Sequence, residues 1–327
     1  MKFFASMLIF CFSLTCLYSS VTPKKLEKGD LIALVYPAWV PNDAIVIDQI
    51  SLYLQKQGYR TVFYPEKTSP IGNFSDTDEN RANSLMQAWK DSDVKAIWCV
   101  RGGWGASKIL DYLDYEFIQN NPKIFIGMSD ITSLHQALNQ KADLVTFLGP
   151  VLTFFTNDDF EKERSVLDFE SLVAYQNLEE LPFLEETFVI NEGVSEGKLV
   201  GGNLTLIASQ CGSNWQLDTK DKILVIEDVG ERPYKVDRNL WQLKEAGLLD
   251  NLAGVVIGEF VSCKQREGSN DRTLLEVFEE YFSNASYPVI YGLATGHGDY
   301  QTTLPLNTHV RIDTYNQLLS IIEKVVN

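Results

Sequence analysis

Ile124-Phe125-Ile126-Gly127-Met128-Ser129-Asp130 carries more structural information than any other segment of this 327-residue chain. Three β-prone apolar residues run into Gly-x-Ser, and helical spacing begins at Ile131. A short apolar run bounded by turn residues reads as a buried strand. A strand that meets a helix across one tight turn is the repeating unit of a parallel α/β layer. A serine on that turn has its hydroxyl exposed, as in a nucleophile elbow, and the free amides at the helix start can stabilise an oxyanion. Ile131 stands where the Gly-x-Ser-x-Gly pattern has its second glycine, and Ser129 and Asp130 equally suit a plain helix cap.

The same alternation extends on both sides. Leu31–Val35, Thr61–Tyr64 and Ala96–Val100 read as strands. Segments 43–57, 78–91, 106–113 and 131–139 read as the helices between them. In the second half, Lys222–Glu227, Ala253–Phe260 and Pro288–Leu293 read as strands, and Asp237–Ala246 and Thr273–Phe282 as helices. The acidic stretch from about 157 to 190 breaks the pattern and is predicted to join two units. The expectation is therefore an α/β protein of two domains. The first, over 21–165, is a flavodoxin-like parallel sheet with helices on both faces and carries Ser129. Residues 166–190 form a linker, and 191–327 form a smaller α/β domain of swivelling type.

Bulk composition narrows the function. The net charge is −16, from 28 Lys+Arg against 44 Asp+Glu, with no long basic run, and such a surface repels nucleic acid. Residues 1–20 begin with one lysine and continue as an apolar run of roughly 15 residues, the pattern of a secretory signal peptide. That predicts export to the periplasm or medium, with membrane contact only through the signal; without a signal the chain would be cytoplasmic. Cys16 raises a lipid anchor as an alternative, although Ser13-Leu14-Thr15 suits one poorly. The remaining cysteines, Cys99, Cys211 and Cys263, are widely spaced and point to neither a disulfide framework nor a zinc knuckle. With three histidines in the chain, neither a metal nor another cofactor is expected.

Three further segments carry chemical potential. Val100-Arg101-Gly102-Gly103-Trp104-Gly105 ends a strand in a glycine-rich turn, which could offer an amide to an oxyanion or be only a tight turn. It is not a phosphate loop of the Gly-Lys-Ser/Thr kind. Among the histidines, His135 falls inside the helix after Ser129 and His309 in an apparent strand. His297 lies between two glycines after the 288–293 strand, in a position suited to a cleft. Glu227-Asp228 closes the apolar 223–226 run, where a carboxylate could orient an imidazole or merely cap a helix.

Taken in order, Arg101-Gly102-Gly103-Trp104-Gly105, Gly127-Met128-Ser129-Asp130, Gly201-Gly202-Asn203-Leu204, Glu227-Asp228-Val229-Gly230-Glu231 with Tyr234, Asp237 and Arg238, and Gly296-His297 resemble the LD-carboxypeptidases, the murein tetrapeptide carboxypeptidases of serine peptidase family S66. The resemblance runs from about Gly29 to Val310. It implies a Ser129–His297–Glu227 triad, because the Glu-to-His spacing fits Glu227 better than Glu231. It implies an oxyanion hole from the amides of Gly103, or a neighbour in that turn, and of Asp130, a murein peptide substrate and a homodimer. An exopeptidase must read a free carboxylate, so Arg238, and after it Arg101, are the expected readers, with Trp104 and Glu231 also expected in the substrate site. Arg238 could equally pair with Glu231 or Asp237. Met128 and Trp104 stand where the family often has an aromatic, commonly Tyr. Two rival readings stay open: an immunity-type hydrolase of the same family that cleaves a peptidyl-nucleotide antibiotic, and a non-catalytic binding protein in which Ser129 is a cap.

Overall fold

The computed structural model describes residues 19–41, 45–155, 180–298 and 301–327. Most of the signal-like segment and most of the acidic joining stretch lie outside the described residues. Two sheets organise the rest. The first contains β1 (Leu31–Val35), β2 (Arg60–Tyr64), β3 (Val94–Cys99), β4 (Ile124–Gly127), β5 (Thr146–Leu148) and β11 (Leu304–Leu306), in the order β2-β1-β3-β4-β5-β11. All pairings are parallel except that of β11 on β5. The order 2-1-3-4-5 is the flavodoxin-like winding that the sequence predicts, with its switch point between β1 and β3.

Strand period and helix placement explain this sheet's two faces. Ala33, Val35, Ile97, Cys99 and Phe125 pack towards α2 (Asp78–Lys90) and α4 (Thr132–Ala142). Ile32, Leu34, Trp98, Ile124 and Ile126 point the other way, onto Leu54 of α1 (Ile45–Lys56) and the C-terminal Val325 and Val326. Strands covered on both sides must be apolar at every position, which is why they read as continuous hydrophobic runs. Between them, α3 (Tyr115–Asn120) is short, and Ala106–Tyr112 is a 3-10 helix rather than the α-helix predicted.

The second sheet has seven strands, in the order β13-β12-β7-β8-β9-β10-β6. Its parallel centre is β7 (Val194–Asn203), β8 (Lys222–Val229), β9 (Gly254–Val261) and β10 (Val289–Leu293). Antiparallel strands flank it: β6 (Phe183–Asn191) on one side, β12 (His309–Asp313) and β13 (Leu318–Ile321) on the other. One face carries α5 (Leu204–Ser209), α6 (Pro233–Glu245) and α7 (Leu274–Phe282), through Ile207, Leu240 and Phe278. The opposite face, with Ile223, Val225 and Val256, joins the core of the first unit.

Two sequence-based boundaries need correction. The expected 166–190 linker ends in strand, because β6 begins at Phe183; Glu185 and Glu186 are exposed charges on an edge strand, which disguised it. The expected 191–327 unit is not confined to the second sheet either. Its β11 hydrogen-bonds to β5, so the chain crosses back to finish the first sheet.

Candidate active site

Ser129 sits directly after β4 with φ 62°, a left-handed conformation that a non-glycine residue adopts only when its surroundings impose it. Met128 before it is extended, and a 3-10 turn leads straight into α4. Strand, strained serine and helix are the parts of a nucleophile elbow. The glycine-rich turn after β3 lies against this elbow. A Cβ built on Gly102 would stand 3.1 Å from Ser129 Cβ and 3.4 Å from the Asp130 nitrogen. Gly103 has φ 109°, and a Cβ there would collide with the Trp39 ring at 2.5 Å. A glycine is required at 103, and the residue before it, Gly102, lies against the serine. The amides of Gly103 and Asp130, both expected oxyanion donors, therefore belong to two turns in mutual contact. Trp104 is 43% exposed at the rim, and Arg101 lies over the Trp39 ring, 5.7 Å from its centroid, with Nη1 donating to the Val40 carbonyl at 3.1 Å.

The second sheet supplies the other wall. Glu227, near the C-terminal end of β8, is 1% exposed. Its Oε2 lies 2.7 Å from Nδ1 of His297, in the loop after β10. The His297 ring packs edge-on against Phe154 of the first unit, at a centroid distance of 5.9 Å. Burial pulls the His297 pKa down, but the Glu227 carboxylate outweighs this by charge and hydrogen bond, with lesser help from Asp228 and Glu259, so the net shift is upward. A cavity of about 10 Å³, room for roughly one water, is lined by Met128, Gly149 and Pro150 on one side and Glu227, Thr295 and Gly296 on the other. The cavity thus lies between Met128, next to the elbow serine, and Glu227 of the Glu–His pair. His297 and Ser129 are not hydrogen-bonded to each other.

The neighbouring candidates sort themselves by their partners. Asp228 accepts from the Thr205 amide and hydroxyl and from Nδ2 of Asn203, the N-cap of α5, at 2.8–3.0 Å, so it braces the start of that helix. Glu231 pairs with Lys235 at 2.8 Å and Asp237 with Arg272, so neither is taken by Arg238, which is exposed on α6. His135 is fully buried between Thr146 Oγ1 (2.9 Å) and the Gly127 carbonyl (2.8 Å), and His309 pairs with Glu323. His135 is a packing residue and His309 belongs to an ion pair away from Glu227, so His297 is the histidine paired with the expected triad acid. Among the described residues no group of acidic, His or Cys side chains could hold a metal.

Several residues at the site carry no signal in the sequence. Trp39, in the loop after β1, shapes the Gly103 backbone, and Phe154 seats the His297 ring. Thr132 accepts the Asn203 amide at 3.0 Å across the seam, and Gly202 must lack a Cβ because Thr132 Oγ1 would lie 2.6 Å from it. Each acts through a partner distant in sequence, so nothing local marks it.

Residues 32–149 match the LD-carboxypeptidase N-terminal domain and residues 196–312 the LD-carboxypeptidase C-terminal domain. The chain belongs to the LD-carboxypeptidase family. It is accordingly a hydrolase of the serine carboxypeptidase type. This LD-carboxypeptidase is 34% identical over 295 residues to a probable murein peptide carboxypeptidase of Bacillus subtilis, covering 89% of this chain and 91% of that one. It is 34% identical over 230 residues to the murein tetrapeptide carboxypeptidase of Pseudomonas aeruginosa, covering 68% and 73%. Among solved structures, the microcin C7 self-immunity protein superimposes with a TM-score of 0.83 at 25% identity, over 94% of this chain and 100% of that one. A muramoyltetrapeptide carboxypeptidase from Oxalobacter formigenes gives 0.78 at 27% identity, over 91% and 100%.

Proposed function

We propose that this LD-carboxypeptidase releases the terminal D-Ala of murein tetrapeptides through a Ser129–His297–Glu227 triad. The observation that carries the reading is the 2.7 Å Glu227–His297 bond, with a small cavity between Glu227 and Met128, the residue before the strained Ser129. His297 Nδ1 donates to Glu227, which leaves Nε2 as the acceptor for the serine proton. Ser129 Oγ attacks the carbonyl of the diamino acid's L-centre, and the oxyanion falls to the Gly103 and Asp130 amides. His297 then protonates the leaving D-Ala amine, and water releases the acyl group by the reverse sequence. The His297-to-Ser129 bond forms with substrate bound; such contacts are often long in free enzymes.

Substrate recognition follows from charge. Arg238 has no ion pair among the described residues and is the proposed reader of the terminal carboxylate, while Arg101 is committed to Trp39 and Val40. Trp104 and Glu231 are proposed to border the peptide. The signal-like 1–20 segment supports action on wall peptides outside the cytoplasm, and a homodimer is proposed from the family resemblance. A second reading, hydrolysis of a peptidyl-nucleotide antibiotic, draws support from the likeness to the microcin C7 self-immunity protein.

The deciding experiment incubates the mature chain with a murein tetrapeptide, a pentapeptide and a peptidyl-nucleotide amide, and follows products by mass spectrometry. Release of D-Ala from the tetrapeptide, abolished in Ser129→Ala, is expected. Cleavage confined to the nucleotide conjugate would move the chain to the immunity-type function.

A further inference from the structure

Asp130 is 0% exposed, and its carboxylate does not face the cleft. Oδ2 accepts the Ala106 amide at 2.8 Å, and the Gly105 amide also donates to the carboxylate. Ala106 and Gly105 end the glycine-rich turn that carries Gly103. On the other side of the same turn lies Arg81 of α2, whose side chain is fully buried. Its Nη1 donates to the Gly105 carbonyl at 3.0 Å and to the Pro37 carbonyl after β1, and its Nη2 pairs with Asp78. Arg81 also stacks on Phe74, 5.2 Å from the ring centroid. The Gly105 backbone is thus gripped at its N–H side by a buried carboxylate and at its C=O by a buried guanidinium.

Burying two charges is expensive unless each is paired and hydrogen-bonded. A helix cap alone would not need it, since an exposed Ser or Thr caps as well. What this arrangement achieves is geometric. Asp130 offers its own amide to the oxyanion, and its side chain fixes the turn that offers the other amide. We propose that Asp130 and Arg81 act as positioning residues that lock the Gly103 turn to the nucleophile elbow, so that both oxyanion donors are set by two buried side chains that grip Gly105 from opposite sides. The inference rests on the acyl-transfer reading of Ser129. A catalytic group misplaced by about 1 Å can cost on the order of 10²-fold in rate, and removal of one oxyanion donor costs about 10²–10³.

The test uses Asp130→Asn, which keeps the shape but removes the negative charge that strengthens the bonds from the Ala106 and Gly105 amides. Arg81→Lys attacks the turn from its carbonyl side. Folding is checked by circular dichroism, and kcat and KM for the tetrapeptide are measured beside the rate of labelling by a fluorophosphonate probe. Expected are a fall in kcat of roughly 10- to 100-fold with KM within about threefold, and a parallel fall in labelling rate. The double variant should be little slower than Asp130→Asn alone, because both changes release the same turn. Unchanged kcat and labelling, or a rise in KM alone, would overturn the proposal. Should Asp130→Asn not fold, Arg81→Lys decides by the same criteria. If the wild type itself neither turns over nor labels, the acyl-transfer reading fails and the clamp with it, which differs from variants failing in an active background.

Discussion

His297 and His135 are both enclosed, yet their chemistry diverges because of what they touch. The Glu227 carboxylate raises the His297 pKa above 6.5, so the neutral, basic form is lost on acidification at a pH above that value. The acid limb of the kcat/KM profile is expected to have its midpoint above 6.5. In Glu227→Gln the midpoint should move down, since the charge that raises it is gone, while kcat falls by up to about 10⁴, as when a triad acid is neutralised elsewhere. A midpoint that stays in place would remove Glu227 as the cause. His135 has no such anion, and burial drops its pKa to about 4. The unfolded chain takes up that proton near pH 6.5 and the folded one does not, so this residue alone removes on the order of 3 kcal/mol between pH 6.5 and 4. Asp130 works in the opposite direction. Burial raises its pKa to about 6, the folded state binds the proton first, and stability rises as pH falls from 6 to its unfolded value. The two largely offset in the wild type. Chemical denaturation of Asp130→Asn at pH 6.5 and 4.5 should expose the His135 loss, with a markedly steeper decline than in the wild type.

At the scale of elements, legibility followed the strength of the local pattern. β4, the Ser129 turn and α4 could be read because apolar run, glycine and helical spacing meet within a dozen residues. α7 was read from Thr273 onward, and the structure supplies the reason: Thr273 and Glu276 form a reciprocal capping box. Thr273→Ala should cost about 1 kcal/mol, or about 2 °C in melting temperature for a chain this long, with kcat untouched. A change in kcat would indicate coupling between α7 and the site. What could not be read was short or borrowed. β5 and β11 have three residues each and no period to display. Residues 106–112 have helical spacing but wind as 3-10, held at their start by the Asp130 carboxylate from another element. The oxyanion turn is similar: its glycines are visible in the sequence, whereas Trp39 and Arg81, which fix its path, are not.

For the whole molecule, the sequence conveyed two α/β units but not how firmly they are joined. The hydrophobic core runs from α2 and α4 through to Val225 and Val256 of the second sheet. The seam also has a polar rivet, the Thr132 hydroxyl accepting the buried Asn203 amide. Thr132→Val keeps the volume but orphans that amide, at an expected cost of about 1–3 kcal/mol. Unfolding should remain a single transition, because the core is shared; two separated transitions would show that the units melt independently.

The return of β11 to the first sheet has a consequence for how the chain is made. Proteins generally fold domain by domain from the N-terminus as the ribosome delivers them. Here the strand that covers β5, and the valines that fill the α1 face, leave the ribosome only after β6 through β10. Until then a nascent chain holding the nucleophile elbow shows an unpaired strand edge, which is a template for wrong partners. Residues 19–155 expressed alone should therefore aggregate, and a synthetic peptide spanning 301–313 should reduce that aggregation. Residues 301–327 are what let the first sheet become a finished object.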